Sequence, residues 1–236
     1  MNTQQKVAIV TGASQGIGAS LVQAFRDRGY RVIANSRSIK PSNDPEILTV
    51  AGDIADPAVA QRIVREGLEK FGRIDTLVNN AGVFIAKPFT QYTAEDYASA
   101  IATNVGGFFH ITQAAIGAME KQGSGHVVSI TTSLADHAID GVPSVLANLT
   151  KGGMNSATKS LAIEYAKRGI RVNAVSPGVI KTPMHAPETH GFLAALHPVG
   201  RMGEIADVVQ AVLYLDGAGF VTGEILHVDG GQSAGH

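Results

Sequence analysis

The sequence predicts a single α/β domain, built as a doubly wound parallel sheet with helices on both faces. Three observations predict it. Short β-branched runs alternate with longer helical stretches along all 236 residues. Several of those runs are apolar on both faces, as expected for strands of a parallel sheet covered by helices on each side. No Ser/Gly/Pro-rich or low-complexity tract divides the chain, so residues 1–236 read as one unit.

Taken in order, strands are expected at Lys6–Val10, Arg31–Ala34, Leu48–Ala51, Thr76–Asn79, His126–Ile130, Arg171–Val175 and Glu224–Val228. Helices are expected near Ile17–Arg28, Pro57–Phe71, Ala94–Gln122, Ser144–Arg168 and Ile205–Leu215, with Pro143 suited to the first turn of the fourth. Pro41, Asn43, Asp44 and Pro45 break any helix over Ser36–Glu46, leaving a loop between the second and third strands. A second loop, Thr182–Gly203, carries Pro183, Pro187 and Pro198 and reads as a lid over a substrate.

Composition narrows the function classes. With 19 Lys+Arg against 20 Asp+Glu, nothing in the overall charge calls for nucleic acid or an anionic membrane. The chain has no cysteine, which excludes disulfides, thiolate metal sites and a cysteine nucleophile. The eight histidines show no metal-ligand spacing, so no metal is expected. The polar start Met1-Asn-Thr-Gln-Gln-Lys6 shows no secretory signal, and no apolar run reaches the roughly 20 residues of a membrane span. The expectation is a cytoplasmic protein acting on a small molecule.

The first motif that carries chemistry is Thr11-Gly12-Ala13-Ser14-Gln15-Gly16-Ile17-Gly18, between the first strand and the first helix. Small residues there let backbone N–H groups approach a pyrophosphate, and the positive helix end stabilises the anion. Further signatures follow in order: Asp53-Ile54, then Asn79-Asn80-Ala81-Gly82, then Asn104, then Arg171–Gly178 with Thr182, then Val221–Gly231. With these motifs the chain resembles the short-chain dehydrogenase/reductase family over essentially its whole length. The resemblance implies a Rossmann fold holding a nicotinamide dinucleotide. It places Gly12, Ser14, Gln15 and Ile17, with Gly16 and Gly18 of the same motif, along the phosphates. It places Asp53 and Ile54 beside the adenine, and Asn80, Ala81 and Gly82 along the adenosine ribose. Pro177, Gly178, Ile180 and Thr182 would hold the nicotinamide.

The end of the second strand selects the cofactor. An NAD enzyme usually presents a carboxylate there to the ribose 2′-hydroxyl, but the aligned residue is Ser36, followed by Arg37. A small hydroxyl leaves room for a 2′-phosphate and a guanidinium can grip it, which favours NADP(H) over NAD(H). Gln15 stands where many NADP-using relatives carry Arg or Lys.

The active site departs from the family pattern. Relatives deliver a proton from a Tyr four residues before a Lys, on the same helix face. Lys151 fits the Lys, which in relatives also grips the nicotinamide ribose, but the residue four before it is Ala147. None of the five tyrosines, at 30, 92, 97, 165 and 214, has a Lys four residues later. Asn104 matches the family's asparagine, and Thr132, with Ser133 as the alternate, matches its substrate-holding hydroxyl. Ser144 and Asn148 share the face of Lys151 but lack useful acidity. His137, in the loop before that helix, is the candidate replacement acid, with His185 and His197 of the lid behind it and ordered water as the other source.

Two functions fit. One is an NADP(H)-dependent oxidoreductase moving a hydride between nicotinamide and a small carbonyl, alcohol or imine, with an atypical proton donor. The other is a dinucleotide-binding protein of little turnover with a sensing or scaffold role. Family resemblance also implies a homotetramer or dimer, with the helices around Ala94–Gln122 and Ser144–Arg168 forming dimer faces.

Overall fold

Side chains alternate across a strand, so a strand apolar on both faces must be covered twice. The computed structural model, which describes residues 5–235, shows that arrangement. On β1 (Val7–Thr11), Val7 and Ile9 enter one apolar cluster while Ala8 and Val10 enter another on the opposite face. The remaining strands are β2 (Arg31–Ser36), β3 (Ile47–Ala51), β4 (Thr76–Asn79), β5 (Gly125–Ile130), β6 (Ile170–Pro177) and β7 (Ile225–Val228). They form one sheet in the order β3-β2-β1-β4-β5-β6-β7, with every pairing parallel. The chain reverses its direction of winding between β1 and β4. A crevice outside the carboxyl ends of those two strands is where such sheets take ligands.

Helices α1 (Gly16–Asp27) and α7 (Ile205–Gly217) cover one face, with Leu21, Phe25, Val208, Val212 and Leu215 buried. Helices α2 (Pro57–Phe71), α4 (Gly107–Gln122) and α5 (Val145–Tyr165) cover the other. The start of α2 is set by Asp56, whose carboxylate accepts the Ala58 N–H, with Pro57 at the first helical position. Its end is set by Gly72, whose φ of 79° a residue with a Cβ adopts only with strain.

Three features differ from the sequence reading. The helix expected over Ala94–Gln122 is α3 (Ala94–Ala100), a π-helical stretch over Ile101–Gly106, and then α4. π-Bulges are costly and concentrate at functional sites, and this one carries Asn104. Pro143 lies just before the N-cap Ser144 rather than inside the first turn of α5. The segment read as the loop Thr182–Gly203 contains a 3₁₀ turn, Pro187–Thr189, and a short helix α6 (His190–Ala195). The loop after Ser36 forms as expected, held by Arg26–Asp44 and Arg31–Glu46 ion pairs. Residues 1–4, within the polar N-terminal segment read for targeting, lie outside the described residues. Among the described residues no helix is long and apolar enough to cross a membrane.

Candidate active site

A cavity of about 450 Å³ lies along the carboxyl edge of the sheet, across the β1/β4 crevice. At one end it meets the glycine turn. Gly12 has φ +64°, and a Cβ there would sit 2.9 Å from the Ala81 Cα. A Cβ on Gly18 would come within 2.2 Å of the Gly12 carbonyl oxygen. These glycines exist so that α1 can begin immediately behind the turn. No side chain caps α1 and no acidic residue stands in its first turn. Its leading N–H groups and the positive end of its dipole therefore face the cavity without an anion from the protein. Thr11 and Asn80 brace the turn: Thr11 Oγ1 accepts the Asn80 and Ala81 N–H groups, and the Asn80 amide donates to the carbonyls of Thr11 and Gly12.

Beside this turn the ends of β2 and β3 supply Ser36, Arg37, Asp53 and Ile54 to the lining. Ser36 Oγ is buried and has no hydrogen-bond partner among the described residues, a state that most buried polar atoms avoid. Arg37 is exposed beside it. Asp53 spends Oδ1 on the Ala55 N–H. The residues present fit a dinucleotide: small side chains and free amides for a diphosphate, with an orphan hydroxyl and a guanidinium at the sugar end.

At the other end the cavity is lined by Thr131, Thr132, Lys151, Gly178 and Thr182. The Lys151 ammonium donates to the Thr131 carbonyl at 3.0 Å. Burial alone lowers it from the ordinary lysine range to about 8, and no charged neighbour contributes. Thr132 Oγ1 accepts the Leu134 N–H, which leaves its own proton to donate. Ser133 differs: its hydroxyl donates to Oε1 of Gln232, a side chain only 1% exposed. The neighbouring hydroxyls are thus distinguished, with that of Thr132 uncommitted and that of Ser133 engaged.

Asn104 is 2% exposed and does not line the cavity. Its Oδ1 accepts the Val83 N–H, and its Nδ2 donates to the Val83 carbonyl and to Thr150 Oγ1. It clamps the loop after β4 to α5, the helix of Lys151. Gly82 makes room for this clamp, since a Cβ there would meet Asn104 Oδ1 at 3.2 Å.

His137 does not line the cavity either; its backbone N–H donates to the Ser133 carbonyl and closes the turn after β5. His197 is a buried bolt, with Nε2 accepting the Val179 N–H, so Nδ1 carries the proton and faces the Leu193 carbonyl. A Cβ on Gly178 would strike its ring at 2.6 Å. His185 does line the cavity, and burial, with the neighbouring His190 charge, lowers its pKa. Ala147 is buried on α5 outside the lining, and no tyrosine lines the cavity.

Sequence reasoning missed three contributors. Gln232 lies one residue beyond the Val221–Gly231 motif, and its Nε2 donates to the Leu196 carbonyl, tying the β5 end to the lid segment. Ser99 and Thr103, four residues apart and so on one face, reach the cavity from α3 and the π stretch. Only the uninterrupted Ala94–Gln122 pattern was visible in the sequence, and it does not reveal a bulge.

Known proteins are similar to this chain in sequence and fold. The family model described as Enoyl-(Acyl carrier protein) reductase matches residues 12–233. The 3-oxoacyl-[acyl-carrier-protein] reductase of Escherichia coli is 34% identical over 244 residues, covering 98% of this chain and 99% of that protein. The structure of ElxO with NADP bound superposes with a TM-score of 0.92 at 29% identity, covering 98% of this chain and 100% of that one. A Tyr-to-Phe variant of ElxO with NADPH bound fits equally well. The 3-ketoacyl-(acyl-carrier-protein) reductase from Brucella melitensis, complexed with NADH, has a TM-score of 0.88 at 30% identity and covers 97% of this chain and 98% of that one.

Proposed function

The chain belongs to the short-chain dehydrogenase/reductase family, and on that premise we propose that it is an NADP(H)-dependent oxidoreductase of a small carbonyl, alcohol or imine. One observation carries the reading: a single cavity joins the uncapped start of α1 and the orphan Ser36 hydroxyl to Thr132 and Lys151. The first two suit a phosphorylated adenosine and the last two suit a reacting oxygen.

In this reading the α1 amides and the small side chains of the glycine turn hold the diphosphate. Ser36 and Arg37 hold a 2′-phosphate, because a hydroxyl and a guanidinium stand where a carboxylate would repel it. NADP and NADPH in ElxO support that choice, whereas the Brucella reductase is complexed with NADH. Asp53, Ile54, Asn80, Ala81 and Gly82 border the adenosine; Pro177, Gly178, Ile180 and Thr182 border the nicotinamide, which supplies or accepts the hydride when bound. Lys151 orients the adjoining ribose, Thr132 donates a hydrogen bond to the substrate oxygen, and Asn104 keeps α5 in register with the loop after β4. Gln232 holds Ser133 and the 182–203 segment around the substrate.

Ala147 occupies the place of the family's tyrosine, so the proton comes from another group. The Tyr-to-Phe variant of ElxO, which carries NADPH, supports nucleotide binding by a member altered in a tyrosine. Exposed Phe109, Leu149 and Ile163 on α4 and α5 support pairing of two chains through those helices.

The test is a panel of ketones, aldehydes, imines and alcohols assayed with NADPH and NADP⁺. Turnover of at least one class, faster with NADPH than with NADH, is expected. Folded protein that turns over nothing in either direction contradicts the reading.

A further inference from the structure

Reduction of a carbonyl needs a proton for the developing alkoxide, and the cavity offers few groups that could release one. Among the described residues its ionisable lining side chains are Arg37, Asp53, Lys151 and His185. Arg37 and Asp53 sit at the ends of β2 and β3, beside the glycine turn. His185 lies on the segment between β6 and α6, where its side chain makes no hydrogen bond shown in the structure and only its backbone is tied, to Thr182 and His190. Lys151 rises from the second turn of α5, and its ammonium is fixed on the carbonyl of Thr131. The next residue is Thr132, whose hydroxyl proton is uncommitted. The carbonyl that holds the cation and the hydroxyl donor are therefore carried by one strand end.

We propose that Lys151 is itself the general acid of this enzyme, delivering the proton that a tyrosine delivers in relatives. This rests on the oxidoreductase reading above and deepens it. In the step, hydride reaches the carbonyl carbon with both its electrons and the C–O π pair moves onto oxygen. One N–H bond of the Lys151 ammonium breaks, its electron pair stays on Nζ, and the proton forms the O–H bond. The products are the alcohol, oxidised nucleotide and a neutral amine, which solvent reprotonates. In the reverse direction the neutral amine takes the hydroxyl proton.

The surroundings favour this role. The elements packed about the side chain are the end of β5, the turn at Gly82 and the Asn104 clamp, and they present Thr131, Thr132, Gly82 and Asn104, none of them charged. No carboxylate holds the proton in place, and desolvation brings the ammonium down to about 8, near the operating pH that general acids need.

The experiment uses the full chain and three readouts. NADPH affinity is measured by nucleotide fluorescence in wild type, Lys151→Arg and His185→Ala. The pH profile of NADPH-dependent reduction is measured on the best substrate of the panel. The Lys151 resonance is followed by NMR after ¹³C-methylation of lysines, assigned by its absence from Lys151→Arg. We expect reduction to fall as pH rises through about 8 and oxidation to rise through the same range, with the assigned resonance titrating there. Lys151→Arg, whose guanidinium cannot release a proton at accessible pH, keeps NADPH affinity within about tenfold and loses on the order of 10²–10⁴ in reduction rate. His185→Ala removes the other cavity-lining candidate acid, and it lowers the reduction rate less than Lys151→Arg does and leaves the fall through about 8 in place. Full turnover in Lys151→Arg, a flat profile near 8, or a Lys151 resonance that titrates in the ordinary lysine range overturns the proposal while leaving the oxidoreductase reading intact. Absence of nucleotide binding, or of turnover by wild type, overturns both.

Discussion

The two edges of the sheet treat buried polar groups in opposite ways. At the amino edge, Asp216 accepts hydrogen bonds from Tyr30 at 2.7 Å and Thr76 at 2.6 Å, its backbone carbonyl accepts from Arg171, and His126 stands 3.5 Å away. Burial works to raise the Asp216 pKa, but these donors prevail and hold the carboxyl well below the usual carboxylate range. At the carboxyl edge, the first amides of α1, the Ser36 hydroxyl and the Thr132 proton are left open, and the Lys151 ammonium has one carbonyl as its partner. The amino edge spends its polar groups on one another, His126 Nδ1 excepted, and serves stability. The carboxyl edge keeps groups in reserve, and the reserve is what a ligand completes.

That contrast can be broken from either side. The largest effect belongs to the closed edge. Asp216→Ala leaves Tyr30, Thr76 and His126 facing an empty place, and loss of one partner in a buried charged network costs about 3–5 kcal/mol. Urea unfolding should show that loss, while NADPH affinity of the folded fraction stays unchanged; a shift in affinity would mean that the edges are coupled. Gly18→Ala attacks the open edge. Its Cβ must displace the Gly12 carbonyl and with it the turn, and losing two charge-assisted contacts to a diphosphate weakens NADPH by on the order of 100-fold. Retained affinity in that variant would remove the phosphate from the glycine turn.

Smaller effects sharpen the comparison. Arg37→Ala should weaken NADPH about tenfold, the worth of one exposed charge-assisted hydrogen bond, and leave NADH untouched. Equal losses for both nucleotides would place Arg37 elsewhere than on a 2′-phosphate. The last prediction concerns pH. Burial pushes the His126 imidazole below the ordinary histidine range, against the pull of Asp216. The unfolded chain therefore binds this proton more readily than the folded one. The contribution of His126 is present above about pH 6.5 and is lost as pH falls below it, by up to about 1.4 kcal/mol per unit. Chemical denaturation of wild type and His126→Gln between pH 7.5 and 5 should show a steeper decline in wild type.

The carboxyl edge was more legible in the sequence than the amino edge. The strand pattern and the glycine turn follow from side-chain period and from backbone space, and both are local. The absence of a carboxylate at residue 36 and of a tyrosine four before Lys151 could likewise be read by counting. What escaped depends on distant contacts. Asn104 was found, but its clamp on Val83 and Thr150 needs the π stretch, which no residue pattern announces. Ser133 and Thr132 look alike as hydroxyls until Gln232, 99 residues along the chain from Ser133, engages one of them. His137 looked poised for chemistry because of its place in the chain, yet the turn after β5 leaves it outside the cavity lining. The closed network was invisible for the same reason: Tyr30 and Asp216 lie 186 residues apart.

The account stands on the open edge being a nicotinamide dinucleotide site. Calorimetric titration of the wild-type chain with NADPH and, separately, with NADH tests this without requiring a substrate. Saturable uptake of one NADPH per chain, tighter than NADH, is the predicted result. Well-folded protein that takes up neither nucleotide would contradict it.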